Sequence, residues 1–137
     1  MIAEQICSIE VAKLAKAKGF PQVPSVANYS VGYYVYDGLR KIHSLCHSLV
    51  FWDSEFCHEN LFAAPTQSLL QKWLREEKNV YIFVEYEWLE GTNAWLYYAY
   101  TKKVCNGRVV CDAIGKPKMS YEDALEDALH YAMGNMV

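Results

Sequence analysis

The chain has 137 residues, 53% hydrophobic and 21% charged, with 7 Gly and 4 Pro. That length suits one domain burying roughly two-thirds of its unfolded surface, and that composition excludes disordered and low-complexity classes. The net charge is -3 and the 13 Lys and Arg are scattered, so no basic stripe is present for a phosphate backbone and nucleic acid is not an expected partner.

No apolar run approaches the ~18 residues of a membrane span, and residues 1–7 lack the basic start and apolar core of a secretion signal. The expectation is a cytoplasmic protein with no membrane partner. Five cysteines, an odd number without a C-x-x-C, fit a chain whose thiols are reduced. Cys105 and Cys111 flank Asn106-Gly107, yet a two-residue turn there pairs Cys105 with Arg108 and Lys102 with Cys111, so the two sulfurs do not face each other.

In chain order, the first expected element is a helix over residues 8–18. Ser8 can cap it, Glu10 suits its positive end, and Lys13, Lys16 and Lys18 lie toward the negative end before Gly19. Val11, Leu14, Ala15 and Lys18 make a narrow apolar stripe on a basic helix, a lid with a solvated lysine face rather than an anion site. Residues 20–30 hold two prolines in four residues and read as an extended connector.

Asp37-Gly38 between two β-rich runs is a hairpin signal, because a type I′ turn needs positive φ at both central positions. A two-residue turn there sets Tyr36 opposite Leu39, Tyr34 opposite Lys41 and Tyr33 opposite Ile42. From 46 to 63 the alternation fails. A strand tail through Phe51 and then an irregular segment packed by Phe51, Trp52, Phe56 and Phe62 is expected there.

The most legible stretch is 64–88. Pro65 suits a first helical turn and Thr66 is a competing cap. Leu69, Leu70, Trp73 and Leu74 fall on one helical face, with Gln67, Gln71, Lys72, Arg75 and Glu76 on or near the other, so Trp73 should anchor the helix. Asn79 tolerates the left-handed conformation that ends helices. In the following strand Val80, Ile82, Val84, Tyr86 and Trp88 share the core face, and Tyr81, Phe83, Glu85 and Glu87 the other.

A turn near 90–93 returns the chain through Trp95 to Tyr100, where apolar side chains occupy both faces and leave the register open. Residues 104–110 add a further hairpin or extend the sheet, and 115–118 read as a turn or loop. The last helix is capped by Ser120, with Asp123 three residues on. Ala124, Leu125, Ala128, Leu129, Ala132 and Met133 form its apolar face before Gly134, and Glu122, Asp123, Glu126 and Asp127 its solvated one.

The expected architecture is a single globular α+β domain over 1–137, in two layers. It has a mainly antiparallel sheet of four to five strands with three helices, in the order α-ββ-α-ββ-α.

Chemistry is sparse. His43, Cys46, His47, Cys57 and His58 are zinc-type donors within sixteen residues. Their pairs Cys46-His47 and Cys57-His58 are adjacent rather than spaced two to four apart, so ordinary thiols and imidazoles outweigh a metal site. Cys57 with His43 or His47 is the best available nucleophile pair, but no third orienting group or oxyanion donor marks it. Glu85 and Glu87 would stand about 7 Å apart, a spacing known in glycosidases and routine on the wet face of a strand. No phosphate-binding glycine loop, G-x-S-x-G or H-E-x-x-H occurs. No catalytic residue, metal ligand or cofactor is assigned.

Aromatic content is the more informative feature, since 11 Tyr, 4 Trp and 5 Phe exceed what one small core hides easily. Tyr81, Phe83 and part of the run from Trp95 to Tyr100 should line the sheet's second face, with Tyr33, Tyr34 and Tyr36 on a neighbouring hairpin. Such a face serves a protein partner or a homo-oligomer, unless the segment from 46 to 62 folds across it.

The unit A-P-T-Q-S-L-L-Q-K-W-L-R-E-E-K-N-V-Y-I-F-V, with S-I-E-V-A-K-L-A-K-A-K-G-F before it and S-Y-E-D-A-L-E-D-A-L after it, resembles small uncharacterised proteins of phage-like and other mobile elements in Bacteroides-type gut bacteria. The resemblance covers the three helices and departs most over 103–118. It implies cytoplasmic expression and an accessory role, and it brings no catalytic residues with it. The resulting expectation is a non-enzymatic accessory or protein-interaction protein, the alternative being a small metal-binding protein or enzyme built on the cluster from His43 to His58.

Overall fold

A computed structural model describes residues 5–22, 33–37, 42–46 and 61–137. The protein is of the α+β class; the described residues form three helices and two antiparallel sheets of three strands each, in the order α-βββ-α-βββ-α. Two compact units divide it, Met1–Leu69 and Leu70–Val137.

In the first unit helix α1 spans Ile9–Ala17, and the Ser8 hydroxyl accepts from the Val11 N–H at 3.3 Å. Of the expected stripe Val11 and Ala15 are buried and Leu14 and Lys18 half-buried; Ala12, which the stripe did not include, is buried beside them. Gly19 leaves the helix at φ +96°, a conformation glycine adopts without strain. Strands β1 (Tyr33–Asp37), β2 (Ile42–Cys46) and β3 (Leu61–Ala63) form a sheet in the order β2-β1-β3.

Here the register differs from expectation. Tyr33 lies opposite Cys46, Tyr34 opposite Leu45 and Tyr36 opposite His43, each four residues beyond the partner that a two-residue Asp37-Gly38 turn would give. An even slip keeps every side chain on its own face, so hydrophobic alternation cannot discriminate between the two registers and the length of the connection decides. The irregular segment expected up to Ala63 contains β3, which pairs with the second edge of β1 through Tyr33–Ala63 and Tyr34–Phe62. The strand tail at Phe51, with Trp52 and Phe56, lies outside the described residues.

Ties distant in sequence close this unit. The Tyr34 hydroxyl donates to the Cys7 carbonyl at 2.7 Å, and the Ala63 N–H donates to Gln22 Oε1 at 2.8 Å. A bridge joins Ile6 to Thr66, with Cys7 N–H donating to the Pro65 carbonyl and Gln67 N–H to the Gln5 carbonyl. Lys13 and Lys16 each reach over the Phe62 ring, so part of the lysine face is engaged rather than simply solvated.

Helix α2 spans Gln67–Lys78. Thr66 is its cap, the hydroxyl accepting from the Leu69 N–H at 3.2 Å, so Pro65 precedes the helix instead of occupying its first turn. Leu70, Trp73 and Leu74 are buried while Lys72, Arg75 and Glu76 are exposed; Gln67, expected on the polar face, is buried at the bridge to Gln5. Asn79 ends the helix at φ +56°.

The second unit continues as a meander of β4 (Val80–Leu89), β5 (Ala94–Cys105) and β6 (Arg108–Lys118), followed by α3 (Tyr121–Asn135). Cys105 pairs with Arg108 and Lys102 with Cys111, as a two-residue turn requires, with Asn106 at φ +51° and Gly107 at φ +75°. Both thiols are free. The loop expected over 115–118 is part of β6: Tyr97 pairs with Lys118 and Ala99 with Ile114, so residues 115–117 bulge opposite Tyr98. Gly115 at φ +51° and Pro117 suit a bulged edge strand, where the backbone leaves the ladder.

Ser120 caps α3 by accepting from the Asp123 N–H at 3.1 Å, and all six expected apolar residues are buried. The helix runs through Gly134 to Asn135, with Met136 as its C-cap. It packs on one face of the sheet. The Tyr131 hydroxyl donates to Asp112 at 2.7 Å, Lys103 Nζ donates to the Met136 carbonyl, and the Tyr97 and Tyr121 rings meet edge to face at 6.4 Å.

Candidate interaction face

The β4–β5 register assigns the faces. Val80, Ile82, Val84, Tyr86 and Trp88 lie opposite Lys103, Thr101, Ala99, Tyr97 and Trp95, which places all ten on the α3 side. Tyr81, Phe83, Glu85 and Glu87 lie opposite Lys102, Tyr100, Tyr98 and Leu96 on the other side. The register of Trp95 to Tyr100, open from sequence, is thereby fixed.

On the side away from α3, Phe83 stacks on Tyr100 with centroids 5.1 Å apart and planes 15° from parallel. Lys102 Nζ lies 5.2 Å from the Phe83 centroid and 5.9 Å from that of Tyr100. The Tyr100 hydroxyl donates to Glu85 Oε1 at 3.0 Å, and this bond to a carboxylate, more than burial, raises the Tyr100 pKa. Tyr81 and Phe83 are 36% and 39% exposed and both glutamates are exposed. Val104, Val109 and Cys111 extend the same face across β5 and β6, all exposed.

The α3 side corrects one expectation. Val80 and Ile82 are buried and Val84 half-buried, but Tyr86 is 66% and Trp88 43% exposed, although the alternation along the strand places both on the core face. The reason is length. A helix of 15 residues reaches about 22 Å and a strand of ten about 33 Å. Contacts at Tyr97–Tyr121 and Lys103–Met136 mark where α3 begins and ends on β5. The hairpin beyond Tyr97 therefore projects past the helix, and its aromatics meet one another: Trp88–Trp95 at 5.5 Å and Tyr86–Trp95 at 5.2 Å.

Of the proposed metal donors, His43 and Cys46 stand on β2 opposite Tyr36 and Tyr33, while His47, Cys57 and His58 lie outside the described residues, as does the Cys57 nucleophile pair. Among the described residues no group of three or more His, Cys, Asp or Glu could hold a metal ion. Glu85 and Glu87 do share a face, open to solvent, and Glu85 is engaged by a tyrosine hydroxyl. Tyr33, Tyr34 and Tyr36 belong to the first sheet, so strand pairing does not make them neighbours of Tyr81 and Phe83. Sequence reasoning missed the exposed cluster of Tyr86, Trp88 and Trp95, because its exposure depends on where α3 ends along the sheet and not on the alternation within β4.

Among the described residues no helix is long and apolar enough to cross a membrane. Comparison with protein-family models, with curated proteins and with solved structures finds no match.

Proposed function

We propose that the chain is a non-enzymatic accessory protein that binds another protein, or a second copy of itself, through the sheet face centred on Tyr81, Phe83, Glu85 and Glu87. The observation that carries this reading is the continuity of exposed apolar surface on that face, from Tyr81 and Phe83 to Val104 and Val109, with Glu85, Glu87 and Lys102 beside it. Aromatic anchors bordered by polar groups are the make-up of protein interfaces, and a monomer seldom leaves such surface uncovered without use. Binding of this kind requires no cofactor.

Native mass spectrometry of the purified chain, joined to photo-crosslinking in cells from a benzophenone side chain at position 81, tests the reading. A metal-free oligomer or one discrete crosslinked protein is expected, lost in Phe83→Ser while near-ultraviolet circular dichroism is retained. A monomer at every concentration that crosslinks to nothing overturns it, and a stoichiometric metal adduct would favour the cluster from His43 to His58 instead.

A further inference from the structure

The free edge of β4 carries a second layer of information about the same surface. The Val104 N–H donates to the Asn79 carbonyl, so Asn79 and every second residue after it aim their backbone groups at β5. Ile82, Val84, Tyr86 and Trp88 therefore aim theirs outward. The Ile82 carbonyl is occupied, accepting from Gln71 Nε2 at 3.0 Å. From Val84 to Trp88 the N–H and C=O groups that point away from β5 have no partner among the described residues and form an open template for one more strand.

The side chains beside this edge indicate what strand would fit. Tyr86 and Trp88 stand exposed on the α3 side, and Glu85 and Glu87 on the other, neither glutamate paired with a cation among the described residues. A second copy fits poorly. Antiparallel β4–β4 pairing centred on Tyr86 sets Glu85 against Glu87 of the partner twice, and pairing centred on Val84 runs into the carbonyl that Gln71 occupies. The outward positions of β6, Val109, Cys111 and Ala113, carry no positive charge to answer the glutamates.

We infer that the β4 edge takes an extended peptide from a partner protein, with Lys or Arg at alternate positions beside Glu85 and Glu87 and apolar side chains against Tyr86 and Trp88. This rests on the reading of the chain as a protein-binding module and names the partner's chemistry. Main-chain hydrogen bonds to Val84, Tyr86 and Trp88 supply affinity, and the alternating charges and rings supply direction and choice.

The probe is a fluorescein-labelled decapeptide of alternating lysine and isoleucine, compared with its glutamate-isoleucine counterpart by anisotropy on the full chain at low salt. The lysine peptide is expected to bind at least tenfold tighter, to weaken as salt rises, and to protect the Val84, Tyr86 and Trp88 amides from hydrogen exchange. Tyr86→Pro, which removes an outward N–H without touching the ladder to β5, should lose at least tenfold, and Glu85→Lys with Glu87→Lys should reverse the preference. Equal binding of both peptides, or protection away from these amides, overturns the inference, as does protection of the same amides by self-association alone. If position 81 still crosslinks a protein while the lysine peptide fails, the edge is wrong and the interaction reading stands. If both fail, both fall.

Discussion

Thr101 is the residue whose environment is least matched to its chemistry. It sits in β5 opposite Ile82 and Asp112, fully buried on the face that α3 covers, and its hydroxyl has no hydrogen-bond partner among the described residues. Burying a hydroxyl unpaired is costly, whereas the β-branched shape suits the strand. Thr101→Val keeps that shape and is expected to stabilise the protein by about 1 kcal/mol in urea melts; a destabilised variant would show that the hydroxyl has a partner after all. On the opposite face the polar groups of Tyr100 and Lys102 in the same strand are engaged. Glu85 lies directly opposite Tyr98 yet bonds the diagonal Tyr100, and Lys102, opposite Tyr81, reaches diagonally over Phe83. Diagonal reach of long side chains thus links Tyr81, Phe83, Glu85 and Tyr100 into one surface.

The helices were the elements most legible in the sequence, because capping and periodicity are local. Ser8 and Ser120 cap as expected, and the apolar positions of α3 are all buried. In α2, Trp73 is 5% exposed, with Lys78 Nζ 5.4 Å from its ring. Trp73→Ala is expected to cost about 3 to 5 kcal/mol in denaturant melts, and a loss below about 1 kcal/mol would mean that α2 is held by Leu70 and Leu74 alone. Strand pairing was less legible for a physical reason. The β1–β2 register turns on four connecting residues that hydrophobic alternation does not sense, and β3 has only three residues, too short to show a period. The start of β6 was readable as a hairpin or sheet extension, but its end was hidden by Gly115 and Pro117, which spell a turn locally and are absorbed by a bulge once Tyr97 pairs with Lys118. Of the interaction face, the alternation from Tyr81 to Glu87 was readable; the exposure of Tyr86 and Trp88 depends on how far α3 extends, which no local pattern encodes.

At the scale of the molecule, the unit Leu70–Val137 holds α3 on its sheet with apolar burial plus a few polar ties of unequal worth. The Lys118–Asp127 pair at 3.0 Å is solvent-exposed on both sides and contributes little, since water and salt screen it. The Tyr131–Asp112 bond differs, because the carboxylate that accepts from the tyrosine also raises its pKa, as Glu85 raises that of Tyr100. A tyrosine whose folded pKa is raised binds its proton more tightly in the folded state, so its contribution is whole below the unfolded value of about 10 and is lost as pH rises through the higher folded value. Stability of the native chain should therefore fall from about pH 9 to 11 more steeply than that of Tyr131→Phe, which has no proton to lose at this position. Urea midpoints across that range, read for both proteins at fixed ionic strength, check this. Parallel curves would mean that the α3–β6 tie is not felt in solution, and that α3 is held to the sheet by Leu125, Leu129 and Met133 with no help from Asp112.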